Sequence, residues 1–168
     1  MASPPTSRPR PRRSTCVPRN AICSARNGEA VAIRRDLTQA ERAFLREVRF
    51  AVLGTTNENG SAHLTVMWYD LEGDEIMFNT ARGRKKPENL ARDPRASLIV
   101  ADEYRFVRVE GTVRANDDQV VAQADIRKLA FRYYHSDERV QRNVDATWAK
   151  QHRITYRMPV RRVYSSGF

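Results

Sequence analysis

Residues 80–97 read TARGRKKPENLARDPRAS, a basic run in which the pattern changes from strand to helix. Four cations crowd into Arg82-Gly-Arg84-Lys85-Lys86, directly after an apolar run that reads as a strand. Pro87 suits the first turn of a helix, where its missing N–H costs nothing. Glu88 to Arg92 continues that helix. Asp93-Pro94 stops it, because the residue before a proline is pushed out of helical conformation. Helix starts present free N–H groups and a partial positive charge, so Arg84 and Lys86 placed there form a phosphate site. Arg grips phosphate through two donors, and Lys acts as a compact charge. Asn89 can donate or accept near a ring or a hydroxyl. A solvated charged helix end and a nucleic-acid patch are the competing readings. Glu88 and Asp93 interrupt the positive field and no aromatic stacking pair lies beside it, which argues against nucleic acid.

Working toward the N-terminus, Glu75–Thr80 is a strand. Glu72-Gly73-Asp74 makes a tight turn before it, and Ala62–Tyr69 is the strand before that. Asn57-Glu-Asn-Gly60 supplies hairpin chemistry after a buried strand, Phe50–Thr56. Short loops between these three strands predict an antiparallel meander. Thr38 and Glu41 form a capping box for a helix whose apolar face carries Phe44, Leu45 and Val48. Toward the C-terminus, Arg95–Ala101 and Tyr104–Ala115 read as strands, the second interrupted at Gly111 by a bulge or a close backbone approach. Asp117-Asp118 opens a helix to about Tyr134, and a second helix spans Arg139–Lys150. His152–Met158 and Val160–Tyr164 close the chain as strands. Six or seven strands with few long crossovers predict a small antiparallel barrel with peripheral helices.

The chain has 168 residues and a net charge of +10, which by itself points to a polyanion partner. The distribution weakens that inference. Residues 1–35 hold eight arginines against the single acid Glu29, a balance of +7, and residues 36–168 balance at +3. The first segment is rich in Pro, Ser and Arg with no hydrophobic period. It reads as a disordered tail, a stretch upstream of a true start near Val31 or Leu37, or a transit peptide or nucleic-acid arm. The domain is placed at residues 36–168. Cys16 and Cys23, the only cysteines, match no metal spacing, and a reducing cytoplasm fits. No apolar run is long enough to span a membrane.

His63, His135 and His152 are far apart and read as surface or barrel-wall residues. No Gly-x-Ser-x-Gly elbow, Walker loop or dinucleotide fingerprint is present, and no catalytic residue or metal ligand is assigned.

Several segments together resemble one family: Val52-Leu-Gly-Thr-Thr56, Val66-Met-Trp-Tyr69, Phe78-Asn-Thr80, Arg84-x-Lys86-x-x-Asn89-Leu90, Asp93-Pro94-Arg95, Val109-Glu-Gly111 and the ending Arg162-Val-Tyr164 with Gly167-Phe168. Over residues 38–168 the chain is similar to the pyridoxamine-phosphate-oxidase-like split barrels, and within them to the flavin/deazaflavin oxidoreductases of the B group, which use coenzyme F420 (a deazaflavin). The resemblance implies a mostly β, α+β split β-barrel and a homodimer with cofactors in grooves at its interface. It maps the phosphate-binding side chains onto Arg84, Lys86 and Asn89 and places Thr80 at a strand end against the cofactor. Val66, Met67 and Trp68 would line the groove beside the ring. Tyr164 and Phe168 would reach the site from the C-terminal strand, of this chain or of the partner subunit. Glu88 falls where many relatives carry a small or basic residue, and it is harmless only if it points to solvent.

The implied chemistry is hydride transfer from the reduced deazaflavin to an electron-poor organic acceptor, with the protein orienting the cofactor. FMN, with one phosphate, is the alternative. Arg82 and Lys85, added to Arg84 and Lys86, favour the deazaflavin, whose acidic tail needs a longer basic groove. A non-catalytic flavin- or haem-binding module, or a nucleic-acid binder acting through its tail, is the contrasting class.

Overall fold

The computed structural model describes residues 34–168. The expectations for residues 1–33, the two cysteines included, lie outside them. In chain order the elements are α1 (Gln39–Arg46), β1 (Ala51–Thr56), β2 (Ala62–Met67), β3 (Asp70–Glu72), β4 (Glu75–Ala81), α2 (Lys85–Arg92), β5 (Arg95–Asp102), β6 (Arg105–Thr112), β7 (Arg114–Asn116), α3 (Gln119–Tyr134), α4 (Asp137–Ala146), a 3-10 turn (Trp148–Lys150), β8 (Arg153–Pro159) and β9 (Arg162–Ser166). Two antiparallel sheets result, ordered β2-β1-β5-β6-β9 and β3-β4-β8-β7.

Among the described residues nine strands stand where six or seven were expected, and the reason is local. The predicted strand Tyr104–Ala115 breaks in two, and just beyond the predicted Ala62–Tyr69 a further short strand, Asp70–Glu72, forms ahead of the turn. At Trp68-Tyr69 and again at Val113 the chain leaves the five-stranded sheet and enters the four-stranded one. The expected meander is therefore not continuous: β2 pairs only with β1, and β4 pairs with β3 and β8. Gly111 marks one crossing. A Cβ there would lie 2.3 Å from the Pro159 carbonyl oxygen, so only glycine lets the end of β8 pass over β6.

The inner faces of the two sheets enclose the core. Leu53, Leu98, Val100, Val107, Val109 and Val163 face Ile76, Phe78, Ile154, Tyr156 and Met158. Alternation along β4 and β8 sends the opposite set, Asn79, Thr155, Arg153 and Arg157, toward α3, which covers the outer face of the four-stranded sheet. Phe44 and Leu45 of α1 are buried at one end of the core, and the Tyr69 hydroxyl donates to the Leu45 carbonyl at 2.8 Å.

The capping box forms as read: the Glu41 N–H donates to Thr38 Oγ1 at 3.2 Å, and the Thr38 N–H to Glu41 Oε2 at 2.7 Å. Glu41 also carries a function its sequence position does not announce. It is 1% exposed and pairs with Arg34 and Ser165. Burial alone pushes its carboxyl up, but the hydrogen bonds from Arg34, Ser165 and the Thr38 backbone more than offset this and hold it below the usual carboxylate range. Arg34 further exchanges backbone hydrogen bonds with Val163, so the folded unit includes a residue placed upstream of the expected boundary at Asp36. Among the described residues no helix is long and apolar enough to cross a membrane.

Candidate functional site

The step from β4 into α2 builds the site. Gly83 takes a positive φ of 80°, which turns the chain sharply after the strand. Arg84 is then the N-cap residue of α2, and Lys86 lies in its first turn. Both side chains enter a cleft of about 410 Å³ whose deep wall is Asn79 of β4 and Arg153 of β8. The opposite rim is Val66, Met67 and Trp68, where β2 ends and the chain changes sheets. Tyr134, Thr147 and Trp148, at the far ends of α3 and α4, close the third side.

The rim is aromatic and held in place. The Trp68 ring stacks on Tyr133 at 5.1 Å between centroids and meets the edges of Tyr134 at 5.0 Å and Trp148 at 6.2 Å. Tyr133 is itself fixed, its hydroxyl donating to the Arg49 carbonyl at 2.7 Å and accepting from the Tyr69 N–H at 3.2 Å. Trp68 is thus supported on one side and open to the cleft on the other.

The floor is positive without compensation. Lys86 is 8% exposed and Arg153 3%, and neither has a carboxylate partner among the described residues. Burial pushes the Lys86 ammonium down to about 8, with Arg84 and Arg153 adding repulsion. Burial and Arg84 likewise lower Arg153 to about 10. Desolvated like charges are costly unless a counter-ion joins them. The cleft thus has a positive floor and a flat apolar wall, and the residues present fit a phosphate-bearing cofactor with a planar ring system.

The cations of the opening stretch do not all share this cleft. Arg82 turns to the other side of α2 and pairs with Asp117. Lys85 pairs with Glu88 at 3.2 Å on the surface, so Glu88 points away from the floor. Asn89 is fully buried: its Nδ2 donates to Thr55 Oγ1 at 3.1 Å and Asn57 Oδ1 at 3.0 Å, and its Oδ1 accepts from Arg92. It ties α2 to the end of β1. Thr80 lies on the core face of β4 with Phe78, is 1% exposed, and its hydroxyl has no partner among the described residues. Tyr164 stacks under the Arg108 guanidinium at 3.9 Å and Phe168 meets Phe44 edge-on at 5.3 Å, both away from this cleft.

Arg153, Asn79, Tyr134 and Trp148 were not singled out from the sequence. A signal for Arg153 existed: along β8, Arg153, Thr155 and Arg157 alternate with Ile154, Tyr156 and Met158. One face of that strand had to be both polar and covered by the long helix. Of the histidines, His152 lies 3.1 Å from Gln119 and His135 caps α3 with a φ of 50°, and neither they nor His63 line the cleft. Among the described residues no group of His, Cys, Asp and Glu could hold a metal ion.

Two open antiparallel sheets, α3 over one face and a positively lined cleft where the chain changes sheets define a split-barrel protein. The chain belongs to the pyridoxamine 5'-phosphate oxidase family, a flavin-type oxidoreductase family, whose sequence model matches residues 37–158. Among solved structures it is similar to an F420 reductase (19% identity, TM-score 0.61, covering 76% of this chain and 98% of that one). It is also similar to a conserved hypothetical protein from Mycobacterium tuberculosis (29% identity, TM-score 0.62, 77% and 84%). A third likeness is to a candidate pyridoxamine 5'-phosphate oxidase from Lactobacillus delbrueckii (15% identity, TM-score 0.57, 77% and 94%). No curated protein matches the chain significantly.

Proposed function

We propose that this chain is a reductase that binds the deazaflavin coenzyme F420 in the cleft and reduces an electron-poor organic acceptor, working as a homodimer. The observation that carries the reading is the buried pair Lys86 and Arg153, cationic and without a carboxylate, beside the supported Trp68 ring. A reduced deazaflavin supplies a hydride to the acceptor. Arg84 and Lys86 bind its phosphate at the start of α2, and Val66, Met67 and Trp68 orient its ring and exclude water from one side. No protein acid is needed at the acceptor, because solvent can supply the second proton. Asn89 serves the site at one remove, by fixing α2 against β1. The deazaflavin is preferred for the motif Arg84-x-Lys86-x-x-Asn89 and the likeness to an F420 reductase.

One observation favours FMN as a second reading. Arg82 and Lys85, expected to extend the basic groove for an acidic tail, are engaged with Asp117 and Glu88, leaving a compact cation cluster suited to one phosphate.

Fluorescence titration of the purified protein with oxidised coenzyme F420 and with FMN separates the two. Micromolar deazaflavin binding, about −8 kcal/mol, is expected. Lys86→Ala should weaken it about tenfold through loss of one charge-assisted contact. Tight FMN binding without a deazaflavin signal would select the second reading, and binding of neither would remove both.

A further inference from the structure

Strand β8 turns two arginines toward α3, and they meet opposite fates. Arg157 finds two carboxylates, Glu72 at 3.1 Å and Asp125 at 3.4 Å. Arg153, four residues earlier, is more deeply buried and finds none among the described residues. What it has instead is a pair of neutral acceptors. Its Nε donates to Asn79 Oδ1 at 2.8 Å and its Nη1 to Gln151 Oε1 at 2.6 Å. Asn79 is in turn immobilised, its Nδ2 donating to the Ala122 carbonyl and to Thr155 Oγ1, both at 2.9 Å. The guanidinium is therefore aimed into the cleft with its charge intact, and its Nη2 has no partner among the described residues.

A strut between sheet and helix would not need this arrangement. Neutral side chains could make the same two hydrogen bonds without bringing a third positive charge beside Arg84 and Lys86. Repulsion among the three works against the ligand-free fold, and an arriving anion relieves it. A planar fork, a compact ammonium and the free N–H groups of a helix start together suit a tetrahedral anion with several acceptor oxygens.

We propose that Arg153 is a phosphate-seating residue: with Arg84 and Lys86 it binds the ligand's phosphate and fixes how deep that phosphate sits against the four-stranded sheet. The identity of the ligand rests on the reading of the cleft as a cofactor site, whereas the anion requirement follows from the charges themselves.

The test uses inorganic phosphate as the probe, with thermal melting followed at constant ionic strength set by chloride. Wild type and the control Arg127→Gln, an exposed charge on α3, should gain stability equally with phosphate. Arg153→Gln should melt no lower than wild type when phosphate is absent and should need at least about tenfold more phosphate for the same gain. Nuclear magnetic resonance of the Lys86 ammonium adds a readout that a structural strut would not move: phosphate at a concentration that half-saturates wild type should raise the pH at which Lys86 titrates there, and much less so in Arg153→Gln. If Arg153→Gln fails to fold, Arg153→Lys keeps the charge but loses the fork, and its phosphate response should fall between wild type and none.

A wild-type phosphate response in Arg153→Gln or Arg153→Lys overturns the proposal, as does the absence of any response in wild type. Phosphate binding through Arg153 with neither FMN nor the deazaflavin bound would sink the cofactor reading and leave this inference standing. Unchanged cofactor affinity in Arg153→Gln would do the reverse.

Discussion

Lys86 sits under two opposing demands. Without a ligand its proton is unwelcome, since burial and two neighbouring cations hold its pKa at about 8 against an ordinary 10.5. Between those values the unfolded chain keeps a proton that the folded chain has released, so the Lys86 contribution to stability rises with pH through that window. Anion binding runs the other way, because the seat loses a charge as Lys86 deprotonates. Cofactor affinity should therefore fall about tenfold between pH 7 and 9, while ligand-free stability gains from about pH 8 upward, by paired titration and melting. Lys86→Met should reproduce both effects at neutral pH. It should stabilise the ligand-free protein by about 1–3 kcal/mol and weaken cofactor binding in the same preparation. A ligand-free protein destabilised by Lys86→Met would show that the side chain serves packing rather than binding.

At the scale of elements, the corners where the chain changes sheets govern what β6 and β8 can tolerate. A methyl at position 111 would meet the Pro159 carbonyl at 2.3 Å and Met158 Cγ at 2.7 Å. The first is backbone and cannot swing aside, so Gly111→Ala should cost about 2–4 kcal/mol in chemical denaturation. The interruption at Gly111 was visible in the sequence, but its meaning was not. An isolated glycine in an alternating run signals a bulge or a crossing without saying which strand crosses. Elements fixed by local chemistry were legible for the same reason they are stable: the Thr38–Glu41 box, the Asn57–Gly60 turn and the Pro87 helix start each rest on contacts within a few residues. The breaks at Trp68-Tyr69 and Val113 were not, because apolar alternation runs on through them and only the opposing sheet decides where the chain turns. The site divides the same way. Arg84 and Lys86 were placed by the helix start they flank, whereas Arg153 lies 67 positions after Lys86 and joins it only through the pairing of β4 with β8.

On the whole molecule, the outer face of the five-stranded sheet carries an apolar patch centred on β2 and β1, beside the charged Arg108, Glu110 and Arg162 of β6 and β9. Val52, Leu64, Val66, Ile99 and Phe106 point outward there, with Leu64 65% and Val66 68% exposed. A contiguous patch of this kind marks an interaction surface, and Val66 belongs both to it and to the cleft rim. A second copy seated on this face would complete the groove, in keeping with the dimer proposed above. Leu64→Glu together with Val66→Glu should convert a dimer to a monomer in sedimentation experiments and weaken cofactor binding at the same time. A double variant that stays dimeric would place the contact elsewhere. The mild +3 balance of residues 36–168 fits small-molecule chemistry better than polyanion wrapping.

The bridge between Arg34 and Val163 brings the first of the described residues against the last strand. Topologically the domain is thus almost a ring. A short linker from Phe168 to Arg34 would close it, and new ends could be opened between Glu103 and Tyr104, in the β5–β6 turn where Tyr104 is 95% exposed. Such a circular permutant should keep both sheets and the cleft intact, since no strand pairing is cut. It would also move the chain ends to another loop, freeing the Arg34–Val163 edge for a fused partner elsewhere on the barrel.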